Sequence, residues 1–447
     1  MRKLIQLVPF VCISVLLVNA FRLFKGAYLG RDDFNNLYWV QRESLVEMAG
    51  HILNPLSSYF RPTGTMCYWL LLRFFDLNPG AYHGFLWVLH SANTFLVYIL
   101  LGRLTRSLPS AAVGAMLFAS QAVFAEIYWD FGTVFEVVAG FFSLLGILAW
   151  TSERRGWREV LLASLALLFA AKGKEMALTM PAIWAIYDLL LRKNMQRGMA
   201  LHWLLPGAFA ACYAVKTILD MRSPIATHPY YMSINWPTLA TSFGIYCNML
   251  LKTNVPWQLW CLGFLILSLI FALLRSWLSL FFVCYVLIAF LPVIFLVNHR
   301  HAFYWYIPFV GISGLAAVLT KNVYSAAIVR NPHWLSQAGA ITIFILLCLG
   351  TFELQKEFTR SQRTQMRTST NEYRAFVVGL KNLPTPLQDE TIFFDSMPSQ
   401  FDKDVLLSAT QVALGRTDVG AKLVTEFPPE ARYRLRFKES RLIRLSQ

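Results

Sequence analysis

Apolar stretches of about 20 residues recur along the chain and alternate with short polar connections. A helix of that length spans the hydrocarbon core of a bilayer, which is about 30 Å thick. The pattern therefore predicts an all-α polytopic membrane protein with about eleven transmembrane helices. The predicted spans are Leu4–Phe24, His83–Leu101, Ser110–Tyr128, Val134–Trp150, Val160–Ala171, Ala177–Leu191, Leu201–Leu219, Trp257–Leu274, Trp277–Val297, Ala302–Leu319 and Leu335–Phe352.

Three segments leave the topology open. Pro62–Phe75 is apolar but short and carries Arg73, so we expect an amphipathic helix on the outer leaflet. Trp236–Leu251 either crosses the membrane or lies in the same way. The N-terminal run could be a signal peptide, but it continues to Phe24, which favours an uncleaved first transmembrane helix.

The last ninety or so residues differ in character from the rest. Glu, Lys, Arg, Thr and Ser dominate residues 356–447, and Thr391–Asp395 has the pattern of a strand. We expect residues 1–355 to form the transmembrane domain. Residues 356–447 form either a small α/β appendage or a loosely ordered tail.

Composition and charge support a membrane protein. The chain is 56% hydrophobic and 15% charged, against about 45–50% and 25% for soluble domains. Its formal net charge is +15, but the basic residues lie in short connections rather than in a nucleic-acid-binding stripe. They read as contacts for membrane lipid head groups and as topology signals, which place the N-terminus and the Arg154–Arg155 connection inside. We therefore expect a multi-pass protein of the plasma membrane, or of the inner membrane in a bacterium.

Two adjacent carboxylates follow the first span, in the sequence Gly30-Arg-Asp-Asp-Phe34. Neighbouring carboxylates repel each other, so Asp32 or Asp33 could have a raised pKa that suits a general base. The pair could instead hold a divalent metal, although no cofactor is required by the sequence. The simplest alternative is a solvated loop that caps the next helix.

Further polar groups fall on the same predicted outer face. A charge inside a bilayer is costly, so charges at span ends usually serve a site or a water-filled cavity. The candidates for substrate binding are Arg61, Glu126, Asp130, Glu136, Lys172, Lys174, Glu175, Arg300 and His301. His90 and Asn93, within the second span, are expected to form interhelical hydrogen bonds.

This order of motifs resembles the membrane glycosyltransferases of the C superfamily, which use polyprenyl-phosphate-linked sugars. Asp32-Asp33 is similar to their acidic pair in the first outward loop, and Arg61-Pro62 to the step that follows. The region from Phe118 to Glu136, and Lys174-Glu175 with Pro181 and Asp188, resemble motifs of transmembrane O-mannosyltransferases that carry tetratricopeptide repeats. The histidines preceding Glu126 in that family are Gln121 and Phe124 here, and a short tail takes the place of the repeats.

The resemblance implies an inverting glycosyltransferase that moves a sugar from a polyprenyl phosphate to a glycan, lipid or protein acceptor, with its active site facing outside. By analogy, Asp32 deprotonates or orients the acceptor hydroxyl and Asp33 supports it. The basic groups Arg61, Lys172, Lys174, Arg300 and His301 would hold the departing lipid phosphate. The alternatives are a polysaccharide polymerase or ligase, and a non-catalytic transporter of lipid or glycan.

Overall fold

The computed structural model describes most of the chain. The described residues are 11–19, 21, 26–55, 57–192, 199–221, 224–330, 350, 353, 356, 370–383, 390–399, 401–429, 431–438 and 440–445. The predicted span Leu335–Phe352 lies almost wholly outside them.

The described part before residue 331 is mainly helical. Helix α1 covers residues 11–19. The following helices are α2 (Arg31–Val40), α3 (Leu45–Leu53), α4 (Pro62–Phe75), α5 (Pro79–Thr105), α6 (Leu108–Ala119), α7 (Val134–Trp150), α8 (Trp157–Ala171), α9 (Met180–Leu191), α10 (Met199–Met221), α11 (Trp236–Leu251), α12 (Trp257–Leu273), α13 (Trp277–Ile294) and α14 (Phe309–Arg330). Short 3₁₀ helices occupy Ala122–Tyr128, Phe131–Thr133, Glu175–Thr179 and Ala302–Trp305.

Three described helices are long and apolar enough to cross a membrane: Pro79–Thr105, Phe131–Trp150 and Trp277–Ile294. They coincide with three of the predicted spans, and the total of eleven stays a prediction. Two predicted spans were wrong in detail. The span beginning at Ser110 ends as an α-helix at Ala119 and continues as a 3₁₀ helix, and the span predicted from Ala302 becomes α-helical only at Phe309.

The apolar surface of α12 indicates contact with lipid. None of its residues is fully buried, and Leu259, Leu265 and Leu273 are 57%, 57% and 82% exposed. A contiguous apolar face of this kind is rare on a soluble monomer. The helical part therefore has the surface expected of a membrane protein.

Polar groups inside the bundle are hydrogen-bonded between helices. His90 Nδ1 lies 2.8 Å from the Tyr306 hydroxyl, and Asn93 Nδ2 donates to the Val137 carbonyl at 2.8 Å. At the other end of α7, Arg155 forms two hydrogen bonds of 2.9 and 2.8 Å with the Asp188 carboxylate. Both charged side chains are fully buried, so this pair fastens the α7–α8 connection to α9.

The C-terminal region is a small α/β unit. Helix α15 covers residues 370–381, and α16 covers Lys403–Leu414. The strands β1 (Thr391–Phe394), β2 (Gly420–Leu423), β3 (Tyr433–Lys438) and β4 (Arg441–Arg444) form one mixed sheet in the order β2-β1-β3-β4. β1 is parallel to β2 and β3, and β4 is antiparallel to β3. The predicted strand at Thr391 and the α/β appendage are confirmed.

This unit packs against the helix that carries the acidic pair. Arg42 on α2 donates to the Gln411 side chain of α16 at 2.8 Å, and Arg31 forms an ion pair with Asp402. The rings of Phe34 and Tyr373 lie 6.0 Å apart. The C-terminal unit therefore lies on the same side of the molecule as Asp32 and Asp33.

Candidate active site

Asp33 is fixed in place by its two carboxylate oxygens. It occupies the third position of α2, where its Oδ2 accepts a hydrogen bond of 2.6 Å from the Gly30 N–H. The Tyr68 hydroxyl of α4 donates to Oδ1 at 2.6 Å. Burial, which the two donors only partly offset, raises the pKa of Asp33 to about 7. The expected helix cap therefore exists, and Asp33 rather than Asp32 provides it.

Asp32 has the opposite environment. It is exposed and lines a cavity of about 930 Å³. Within the described part of the chain its carboxylate accepts no hydrogen bond, while its main-chain carbonyl accepts one from Asn36. Adjacent residues on one helix point in directions about 100° apart, which is why one carboxylate is locked and the other is open to the cavity.

The cavity collects charged side chains from segments far apart in sequence. Of the predicted site residues, it is lined by Asp32, Arg61, Glu126, Asp130, Glu136, Lys174 and His301. These residues belong to α2, the start of α4, the two 3₁₀ turns around Asp130, the start of α7, and the loops before residues 175 and 302. The predicted gathering of these groups at one place is what the structure shows, although their roles remain proposals.

The two permanent cations of the cavity are already paired. Arg61 donates to the Glu175 carboxylate through Nε at 3.1 Å and Nη2 at 2.8 Å. Lys174 Nζ lies 2.5 Å from Glu136 Oε1 and 4.0 Å from Glu175 Oε1. All four side chains are nearly buried, so Lys174 and Glu175 do not form the mutual surface pair that their adjacency suggests.

Electrostatics within this cluster follow from burial and pairing. Burial alone would raise the pKa of Glu175, but Arg61 and Lys174 outweigh it and lower that pKa to about 2. Burial and the nearby Arg61 lower the pKa of Lys174, while Glu136 acts in the opposite sense. Arg61 itself has φ 47°, a left-handed conformation that costs energy outside glycine. The bidentate bond to Glu175 helps to hold it there.

Two further acids, Asp130 and Glu126, line the same cavity. Asp130 Oδ1 accepts a hydrogen bond of 2.9 Å from the Gly132 N–H, and burial together with Asp33 and Glu126 raises its pKa well above the usual range. Burial and Glu136 also raise the pKa of Glu126. A carboxyl group that keeps its proton can both donate and accept hydrogen bonds, as sugar hydroxyls require.

The loop before Phe303 places alternate side chains in the cavity. His299 and His301 both line it, whereas Arg300 points away and donates through Nε to the Ser242 hydroxyl at 3.2 Å. His301 has an extended backbone, with φ −121° and ψ 146°, and side chains alternate along an extended chain. The expectation that Arg300 lies in the site is corrected, and His299 is a residue that the sequence analysis missed.

Lys172 and Glu175 do not line the 930 Å³ cavity either, which is the main cavity of the described structure. The Lys172 ammonium donates to the Asn54 carbonyl at 2.8 Å and lies 4.9 Å above the Tyr213 ring, so the structure does not bring it to the cavity with the other predicted site residues. Glu175 lies behind Arg61, where it borders a smaller cavity of about 140 Å³. Its role at the main site is therefore to hold Arg61.

The acidic pair does not fit a divalent metal. Such ions take several oxygen ligands that converge on one point, but both Asp33 oxygens are occupied by the Gly30 and Tyr68 donors. The described residues contain no group of three or more His, Cys, Asp or Glu placed to hold a metal ion.

Comparison with known proteins identifies the fold. No protein-family model and no curated protein matches the chain. Among solved structures, ArnT from Cupriavidus metallidurans in the apo state is similar with a TM-score of 0.54 and 11% identity, over 91% of this chain and 84% of ArnT. ArnT bound to undecaprenyl phosphate matches with a TM-score of 0.51 and 11% identity over the same shares. The Archaeoglobus fulgidus oligosaccharyltransferase matches with a TM-score of 0.51 and 12% identity, over 93% of this chain and 64% of that enzyme.

Proposed function

From the fold of C-superfamily membrane glycosyltransferases, which this chain shares, we propose that it transfers a sugar from a polyprenyl-phosphate donor to an acceptor hydroxyl, with inversion at the anomeric carbon. The observation that carries the proposal is the 930 Å³ cavity, which is lined by both an accessible carboxylate and buried cations in a membrane-protein fold. ArnT has been seen with undecaprenyl phosphate bound, which supports a lipid phosphate as the donor's carrier.

Asp32 is the proposed general base. Its carboxylate is the open member of the acidic pair, so it can take the proton of the acceptor hydroxyl as the oxygen attacks the anomeric carbon. Asp33 acts as a positioning residue, since its bonds to Gly30 and Tyr68 fix the first turn of α2. The bond that breaks joins the anomeric carbon to the phosphate oxygen, and the phosphate leaves with the electron pair.

Arg61 and Lys174 are proposed to orient that phosphate. Each cation is held by a carboxylate, Glu175 or Glu136, so its position is set before the donor arrives and no reorganisation is needed during transfer. Glu126 and Asp130 line the same cavity and would hydrogen-bond hydroxyl groups of the sugar or the acceptor. The active site would face outside the membrane, as the distribution of basic connections predicts.

Transfer from a lipid-linked sugar by purified protein tests this function. Asp32→Asn keeps the shape of the side chain and removes its basicity, so turnover should fall by about 10²–10⁴. Glu153→Gln, an exposed carboxylate in the α7–α8 connection, is the matched control and should transfer at the wild-type rate. Wild-type transfer by Asp32→Asn at equal membrane expression would refute the assignment.

A further inference from the structure

In the empty protein, the charges that line the main cavity do not favour binding of a phosphate. Five carboxylic acids line it, namely Asp32, Glu43, Glu126, Asp130 and Glu136, against the permanent cations Arg61 and Lys174. Both cations are neutralised by short contacts with buried carboxylates. A phosphate entering this space therefore needs positive charge from another source.

Histidine can supply that charge, and three histidines line the cavity. His51 is engaged elsewhere, because Nδ1 lies 3.1 Å from the Ser57 hydroxyl and Nε2 lies 3.7 Å from Glu43. His299 and His301 contact each other instead, with His301 Nε2 3.2 Å from His299 Nδ1. Among the described residues, no carboxylate forms a salt bridge with either ring.

The His299–His301 contact tolerates one added proton. It needs one N–H and one lone pair, which a neutral pair supplies and a singly protonated pair also supplies. In the protonated form the two outer nitrogens, His299 Nε2 and His301 Nδ1, both become donors. The pair can therefore accept a proton without losing its own hydrogen bond and can present two N–H groups to an anion.

We propose that a lipid phosphate binds in the main cavity together with one proton, which the His299–His301 pair takes up. The inference rests on the proposed function and adds two positioning residues to it. The phosphodiester donor carries one negative charge and the departing monoester carries up to two. A protonated pair therefore stabilises the charge that develops on the leaving group.

The surroundings keep the empty pair neutral. Burial, together with His301, Lys174 and Arg61, lowers the pKa of His299 to about 4, against a smaller opposite effect of Glu175. Burial and Lys174 lower the pKa of His301, and Asp32 opposes them. Three rings lie beside the pair: Phe303, 4.8 Å from His301, Tyr230, 5.1 Å from His299, and Tyr304, 5.9 Å from each histidine. An added dianion reverses the sign of the local field.

The number of protons bound with the ligand is measurable by titration calorimetry. Undecaprenyl phosphate would be titrated into the full-length protein in detergent at pH 7.5, where free phosphate monoester is mostly a dianion, in buffers of different ionisation enthalpy. Wild type should take up most of one proton. Binding should then tighten by up to about tenfold for each unit of pH lowered, the limit for one coupled proton.

The variants separate the histidines from the acids. His299→Gln with His301→Gln should lose the uptake and weaken binding, and each single variant should lose part of both. His202→Gln, a histidine packed on Trp157 at the other end of the bundle, is the matched control. Glu126→Gln should keep the uptake. Uptake that survives in the double histidine variant, or is lost in Glu126→Gln, would overturn the proposal.

Two further arms identify the ligand and isolate the inference. Proton uptake with undecaprenyl phosphate is the expected result, whether or not inorganic phosphate also causes it. Proton uptake with inorganic phosphate but not with undecaprenyl phosphate would overturn the assignment to a lipid.

If wild type transfers sugar but binds undecaprenyl phosphate without a proton, this inference fails and the proposed function stands. If binding is coupled to a proton but no lipid-linked sugar is transferred, the proposed function fails and the proton-coupled site stands. If the double variant does not fold, the two single variants provide the test.

Discussion

The Lys174–Glu136 ion pair allows a quantitative test of how the cavity is built. Both side chains are 3% exposed and their charged atoms lie 2.5 Å apart. Lys174→Met leaves the Glu136 charge buried without its partner, which typically costs about 3–5 kcal/mol. Glu136→Gln should cost less, because Lys174 still has the Glu175 carboxylate at 4.0 Å.

The double variant Lys174→Met with Glu136→Gln removes both charges and should recover much of the lost stability. The coupling energy between the two sites should approach the upper end of the usual range, about 3 kcal/mol. Equilibrium unfolding in mixed detergent micelles, followed by circular dichroism, provides the four free energies. Lys216→Met is the matched control, because its ion pair with Asp220 lies at the surface and should be worth less than about 1 kcal/mol. Additive losses in the double variant would refute the reasoning.

Three further predictions follow from buried or exposed charges. Because burial raises the pKa of Asp33 to about 7, the folded protein keeps a proton that the unfolded chain releases near pH 4. The free energy of unfolding should therefore fall as the pH rises from about 4 to 7. In Asp33→Asn, the free energy of unfolding should depend less on pH across that range. Asp188→Asn leaves the buried Arg155 poorly paired and should cost about 3–5 kcal/mol in the same unfolding assay without changing donor affinity. In a background without reactive cysteines, Ser58→Cys and Lys403→Cys should be labelled from one face of the membrane and Arg154→Cys from the other; labelling of all three from one face would contradict the topology.

Sequence patterns predicted elements better than contacts. The helix Pro62–Phe75, the strand at Thr391 and three long apolar spans follow from periodicity, which is a local property. The break after Ala119 was missed because hydropathy does not distinguish an α-helix from the 3₁₀ turn that follows it. Which carboxylate of the pair would be locked depended on Tyr68, 35 residues away in sequence.

The misses at the site have one physical origin. Formal charge selected Lys172 and Arg300, but direction decides which side chain reaches a cavity. Alternation of side chains at His299-Arg-His301 turns Arg300 toward Ser242 and brings His299 inward. That alternation is visible in the sequence His299-Arg-His301 once His301 is known to have an extended backbone, so a two-residue spacing was the signal that could have found His299.

A site for an anion in a low-dielectric environment faces a conflict before the anion arrives. Permanent cations left unpaired there would be costly, so Arg61 and Lys174 are paired with Glu175 and Glu136. That pairing fixes their geometry but removes the net positive charge that would attract a phosphate. Groups that are neutral in the empty site and cationic in the full one resolve the conflict, because they carry no buried charge until the ligand supplies its partner. Of the side chains that line the main cavity in the described structure, the His299–His301 pair best meets this requirement, since its rings contact each other rather than a carboxylate.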